Sequence, residues 1–219
     1  MDRSNKIVKL DKIKKAMKYN PDIHHRKTIR LKGYDYAQPG AYYITICSYE
    51  RQCLFGEVVA GVMHLNLISE TIQYSWHRLP QHFHFIELDA FVIMPNHLHG
   101  IILIADNNTT NKNQLFKQPI IQPVSSDRIS TLPKGTESGS LGALVQNFKS
   151  IVTRRVNRLT RNSGTIWQQG YYEEIIRDER AYDNIRKYIV ENPLKWHDDE
   201  HYSIQKCDRN SNSHKKPQK

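Results

Sequence analysis

The chain has 219 residues, of which 38% are hydrophobic, and a formal charge of +10. That length suits one domain with extensions or two small ones, and the modest apolar share implies that part of the chain stays outside any core. No apolar run is long enough to cross a bilayer, the N-terminus lacks an apolar signal core, and Cys47, Cys53 and Cys207 form no C-x-x-C pair; these exclude a spanning protein and a disulfide scaffold, and point to a cytoplasmic location.

Residues 1–25 alternate lysines with Ile7, Val8, Leu10, Ile13 and Met17, which reads as a flexible basic arm able to form an amphipathic helix on a partner. Over residues 1–32 the cations far outnumber Asp2, Asp11 and Asp22, an imbalance that favours a polyanion. From His24 to Gly40, Arg26, Lys27, Arg30 and Lys32 are interleaved with Tyr34 and Tyr36. Such a mixture suits stacking on exposed bases with phosphate neutralisation, and it suits packing of the tyrosines beneath an arm equally well.

Ala41 to Cys47 is rich in β-branched and aromatic residues and reads as a strand. Leu54 to Leu65 reads as a hairpin turning at Ala60-Gly61. In the stretch Ile68 to Leu79, Ile72, Trp76 and Leu79 recur at helical spacing behind Ser69 as a candidate N-cap, and Pro80 stops it. Phe85 to Met94 and Leu98 to Ala105 are two further strands joined through Pro95-Asn96.

His97-Leu98-His99 stands at the start of the later strand. If pairing continues through Leu98, both imidazoles project to one face, roughly 7 Å apart at the backbone, and can grip one divalent metal. His82-Phe83-His84 has the same spacing, so the pattern alone does not choose between ligation and a hydrogen-bonded pair.

Residues 106–139 are rich in Asn, Thr, Gln, Ser, Lys and Pro without periodicity and read as a disordered insertion. Ser140 to Arg161 is the strongest helix, with Leu141, Leu144, Val145, Phe148, Val152 and Val156 on one face. Lys149, Arg154, Arg155, Arg158 and Arg161 lie on the other with no acidic residue, the pattern of a phosphate-facing surface. Gly164 to Gln168 reads as a short fourth strand, Gly170 to Arg177 as a new element, and Arg180 to Val190 as a last helix closed by Asn192-Pro193. The tail 206–219 is polar and basic.

With the hairpin set aside, the order is strand, helix, strand, strand, helix, strand. That is the α+β, ferredoxin-like (split βαβ) arrangement: an antiparallel sheet with both helices on one face and the other left open, plus the basic arm and a C-terminal helix. The strands and helices fall in one domain over 26–205, with the flexible arm 1–25 before it and the disordered basic tail 206–219 after it.

Several runs then converge. Arg30-Leu31-Lys32-Gly33-Tyr34-Asp35-Tyr36 with Pro39-Gly40, Met94-Pro95-Asn96-His97-Leu98-His99-Gly100, Phe148-Lys149-Ser150, Trp167-Gln168-Gln169-Gly170-Tyr171-Tyr172, Ile176-Arg177-Asp178-Glu179 and Tyr188-Ile189-Val190-Glu191-Asn192-Pro193 occur in that order. The set resembles the single-tyrosine HUH transposases (IS200-like), and within them the REP-associated tyrosine transposases. The resemblance implies a divalent metal, Mg2+ or Mn2+, on His97 and His99, and a tyrosine that cleaves and rejoins single-stranded or hairpin DNA through a 5′-phosphotyrosine. It maps that nucleophile to Tyr171, with Tyr172 as the adjacent alternative. A third ligand is expected from Glu173, Glu174 or Gln168, and phosphate contacts from Arg26, Lys27, Arg30, Lys32, Tyr34, Lys149, Arg154, Arg155 and Arg158. The protein would act as a monomer or homodimer; a non-catalytic ferredoxin-like nucleic-acid-binding protein is the competing expectation.

Overall fold

The computed structural model of the chain describes residues 34–105, 139–161 and 163–202. Six strands, β1 (Gly40–Cys47), β2 (Gly56–Val59), β3 (Val62–Leu65), β4 (Ile86–Met94), β5 (His97–Ile104) and β6 (Tyr172–Ile176), alternate with four helices, α1 (Leu67–His77), α2 (Leu79–His82), α3 (Leu141–Thr160) and α4 (Glu179–Glu191). A 3-10 segment, Asn192–Asp198, follows α4. The basic arm, Arg26, Lys27, Arg30 and Lys32, the insertion and the tail lie outside the described residues.

β2 and β3 pair as a separate hairpin; the other four strands form one sheet in the order β4-β5-β1-β6. Every neighbouring pair in it is antiparallel. Without the hairpin, the first and third strands are central and the second and fourth are edges, which is the ferredoxin-like topology expected from the element order.

Side-chain alternation divides the sheet into two faces. Tyr42, Ile44, Ile46, Leu98 and Ile102 meet Ile72 and Trp76 of α1 and Leu144, Phe148 and Val152 of α3 in the larger core. Gly100 belongs to this face, and its reason is steric. A Cβ there would lie 2.5 Å from the Trp76 ring, which itself stacks on Phe91 with centroids 4.5 Å apart. The Gly of the His-x-His-Gly run is therefore the slot into which α1 inserts its indole.

The opposite face, expected open, is partly covered. Ala41, Ile101, Leu103 and Ile176 pack against Ile189 of α4. The Tyr182 hydroxyl of α4 donates to Asp89 of β4, and Arg186 pairs with the same carboxylate at 3.0 Å. Amphipathic spacing identified the α4 helix but could not say which sheet face it would cover.

Two local expectations are corrected. α1 is capped by Asn66, which accepts from the backbone of Ile68 and Ser69, while Ser69 sits at the third helical position and accepts from the Asn66 N–H. Ser69 thus answers the cap instead of being it. The fourth strand is Tyr172–Ile176 and not 164–168, which contributes a single bridge, Ser48 to Trp167. Trp167 is drawn into the core between Phe55 and Phe148, at ring distances of 5.3 and 6.0 Å. Gly170, with φ of 75°, then turns the chain so that 172–176 can pair with β1.

Candidate metal centre

β5 is a central strand, and its first three residues bring the histidine pair into the sheet. His97 is in register with Cys47 and His99 with Thr45, so both rings share the α4 face and Leu98 points into the larger core. His97 is 0% exposed and His99 2%.

Each ring is held through Nδ1. The His97 Nδ1–H donates to the side-chain oxygen of Asn96 at 2.8 Å, leaving Nε2 with the lone pair. The His99 Nδ1 lies 2.7 Å from the Tyr43 hydroxyl and 2.8 Å from that of Thr45; a proton donated to either oxygen leaves Nε2 free in the same way. Both Nε2 atoms are buried with no hydrogen-bond partner. Burial, and then the neighbouring imidazoles, push the His97 pKa well below its ordinary value, and burial lowers that of His99 to about 3. Both rings are therefore neutral at pH 7, the state that binds a metal.

The third donor comes from beyond α4. His97, His99 and Asp199 offer ligand atoms all within 4.8 Å of one another. Asp199 is set in place by the His201 N–H, which donates to its Oδ1 at 2.7 Å. Two orphaned imidazole nitrogens and a carboxylate fit a divalent ion by donor chemistry and spacing. Among the carboxylates, neither Glu173 nor Glu174 joins this group among the described residues. Glu173 is in register with Ile44 on the far face, and Glu174 is opposite Tyr43 on the histidine face but exposed. The Gln168 N–H donates to the Cys47 carbonyl, and its buried Oε1 has no partner, so this amide remains beside the site. Burial raises the pKa of the Cys47 thiol to about 11.

The adjacent tyrosines separate by face. Tyr172 is in register with Thr45, hence in one row with His99, two strand spacings or about 10 Å apart at the backbone. It is 38% exposed. Tyr171, the residue preceding the strand, packs against the larger core on the other face.

The cations of α3 also divide. Lys149 donates from Nζ to the carbonyls of Gln168 and Gly170, at 2.6 and 2.8 Å. It clamps the loop before the tyrosines, where a surface role toward phosphate had been expected. Arg155 lies 4.9 Å over the Tyr74 ring and donates to Ser75 of α1. Arg154 and Arg158 are exposed. Tyr34 is within hydrogen-bond distance of the Tyr42 hydroxyl, meets Tyr36 edge-on at 4.9 Å and packs against the larger core.

Sequence reasoning missed Asn96 as the partner of His97 Nδ1, and Asp199 as a candidate third donor. The run His197-Asp198-Asp199-Glu200-His201, dense in ligand-type side chains, was the available signal.

No family model matches the chain. Among solved structures it is similar to a REP-associated tyrosine transposase bound to a REP hairpin, at 16% identity and a TM-score of 0.49, covering 78% of this chain and 74% of that one. It is also similar to a transposase candidate from Deinococcus radiodurans, at 13% identity and a TM-score of 0.39, covering 76% and 98%. An uncharacterized protein of Haemophilus influenzae is 40% identical over 185 residues, spanning 84% of this chain and 97% of that protein. An identity of that level over nearly the whole of the relative establishes that the chain belongs to the family of this Haemophilus influenzae protein.

Proposed function

We propose that the protein is a metal-dependent enzyme that nicks and rejoins single-stranded or hairpin DNA through a covalent 5′-phosphotyrosine. The observation that carries this reading is the pair of orphaned histidine nitrogens grouped with Asp199, with the exposed Tyr172 in the same cross-strand row as His99. The order of motifs in the sequence supports it independently.

His97, His99 and Asp199 would hold the ion. Bound there, Mg2+ or Mn2+ supplies a Lewis acid for the non-bridging oxygens of the scissile phosphate. Asn96, Tyr43 and Thr45 fix the two rings so that their Nε2 atoms face the site. The Tyr172 oxygen attacks phosphorus in line, an O–P bond forms as the bond to the 3′-oxygen breaks, and the phenolic proton passes in net to that leaving oxygen. Bond energy is kept in the tyrosyl ester, so a 3′-hydroxyl can reverse the step without ATP. Lys149 holds the Gln168–Gly170 loop and through it the start of β6. Arg154 and Arg158, exposed on α3, serve phosphate contacts, giving an affinity that falls with salt.

The test is a denaturing gel of protein incubated with labelled hairpin oligonucleotides and Mn2+. A shifted adduct is expected with the wild type and with Tyr171→Phe, and none with Tyr172→Phe or His97→Ala. An adduct lost in Tyr171→Phe and retained in Tyr172→Phe would move the nucleophile back by one residue. The burial of both histidines beneath the 196–201 segment favours a second reading, a non-catalytic nucleic-acid-binding protein; hairpin binding unaltered by chelation, with no nicked product, would establish that one.

A further inference from the structure

The segment after α4 brings a second side chain to the histidines. His201 is 6% exposed, and its ring centroid lies 4.6 Å from that of His97 and 6.4 Å from that of His99. Its backbone is tied at both ends, the carbonyl accepting from Asn96 Nδ2 at 2.7 Å and the N–H donating to Asp199. Nε2 faces the Glu200 carboxylate at 3.6 Å, and that side chain is 83% exposed. Nδ1 is buried and has no partner. Three imidazoles in one pocket thus each carry a buried, unpartnered ring nitrogen: His97 Nε2, His99 Nε2 and His201 Nδ1.

One orphaned nitrogen is a local packing compromise; three on neighbouring rings beside a carboxylate are the donor chemistry of a nitrogen-rich cation site. We infer that His201 is itself a ligand, so that the protein holds its divalent ion with three imidazoles and Asp199. This rests on the metal reading above and extends it. The His201 atoms are not among those within 4.8 Å of all the others, so ligation by Nδ1 requires the His201 ring to turn toward them.

Two consequences follow from this donor set. Magnesium prefers oxygen ligands and retains its waters, whereas imidazoles favour borderline ions such as Co2+ and Zn2+. The site therefore takes a transition ion in preference to Mg2+. Because Asp199 and His201 both belong to the segment after α4, ion binding also fastens that segment over the histidines.

The experiment is titration of the chelator-treated full-length protein with Co2+, followed by the visible ligand-field band. The wild type is expected to give an intense band characteristic of low coordination, not displaced by millimolar Mg2+. His201→Ala is expected to weaken Co2+ binding by about tenfold or more and to alter the band. His201→Gln, which keeps the volume, covers the case in which alanine disturbs folding, and circular dichroism of each ion-free variant reports that. If His201→Ala and His201→Gln fold and bind with wild-type affinity and spectrum while His97→Ala does not bind, the role of His201 is overturned and the metal reading stands. If His97→Ala also binds as the wild type does, or the wild type gives no band, the metal reading falls and this inference with it.

Discussion

Asn96 is the residue whose removal most directly tests how the centre is built. It is 0% exposed, accepts from His97 Nδ1 at 2.8 Å, and donates from Nδ2 to the His201 carbonyl at 2.7 Å and, more weakly, to the Arg51 carbonyl at 3.3 Å. In Asn96→Ala the His97 N–H and the His201 carbonyl both lose their partner inside the protein. A buried polar group left unsatisfied costs about 1–3 kcal/mol, so two of them cost about 2–6 kcal/mol. For a chain of this size 1 kcal/mol shifts Tm by about 2–4 °C, which places the loss between about 4 and 24 °C. The assay is a thermal melt of the ion-free protein, paired with nitrogen NMR of the histidine rings. The melt reads the lost satisfaction; the NMR should show the His97 proton no longer confined to Nδ1. Asn96→Asp separates the two contacts, since it keeps an acceptor for His97 and loses the donor to His201. A drop in Tm under about 2 °C, with His97 still protonated on Nδ1 alone, would refute the account of how the ring is oriented.

Gly100→Ala should lower stability by about 1–3 kcal/mol, because the new methyl forces the Trp76 ring from its slot; a denaturant melt with an unchanged midpoint would contradict this. Asp199→Asn should reduce the metal-induced rise in Tm, which for the wild type at 100 times Kd corresponds to about 2.7 kcal/mol; an equal rise in both would remove Asp199 from the ligand set. Burial holds the Lys149 ammonium at about 8, below its ordinary value. A depressed folded-state pKa means that the unfolded chain binds more protons between there and about 10.4, so this group favours folding increasingly as pH rises through that window and loses that contribution as pH falls through 8. The stability advantage of wild type over Lys149→Met should accordingly widen from pH 8 to pH 10, and narrowing would show that the ammonium is not disfavoured by its site.

Much of the fold was legible because its elements carry periodic patterns that need no partner to be read. The β-branched and aromatic residues of Ala41 to Cys47 specify a strand, and the three-and-four spacing of Leu141 to Val156 specifies a helix and its buried face. β6 was harder. Tyr-Glu-Glu-Ile-Ile has little apolar alternation because it is an edge strand, and the uncharged Gly-Thr-Ile-Trp-Gln reads more readily as a strand, although Trp167 is a core plug. The histidine pair was visible as a spacing, but its third donor was not. Asp199 reaches the site only because the chain folds back after Asn192-Pro193, and no local pattern encodes where such a return ends. Lys149 was misread for a related reason: a cation on a polar helix face looks solvent-directed until the carbonyls of Gln168 and Gly170 are seen to meet it.

The antiparallel register has a practical reach beyond the site. His97 opens β5 and Ile104 closes it, a span of about 24 Å at strand spacing. Gly40, opposite Ile104, starts the strand that Tyr36 leads into, and the Tyr36 carbonyl accepts from Leu141 at the start of α3. Ala105 and Gly139 therefore both leave the domain from the end of the sheet remote from the histidines. A fluorescent or affinity module spliced between them would be carried at the back of the molecule, giving a handle for single-molecule work that leaves the front free.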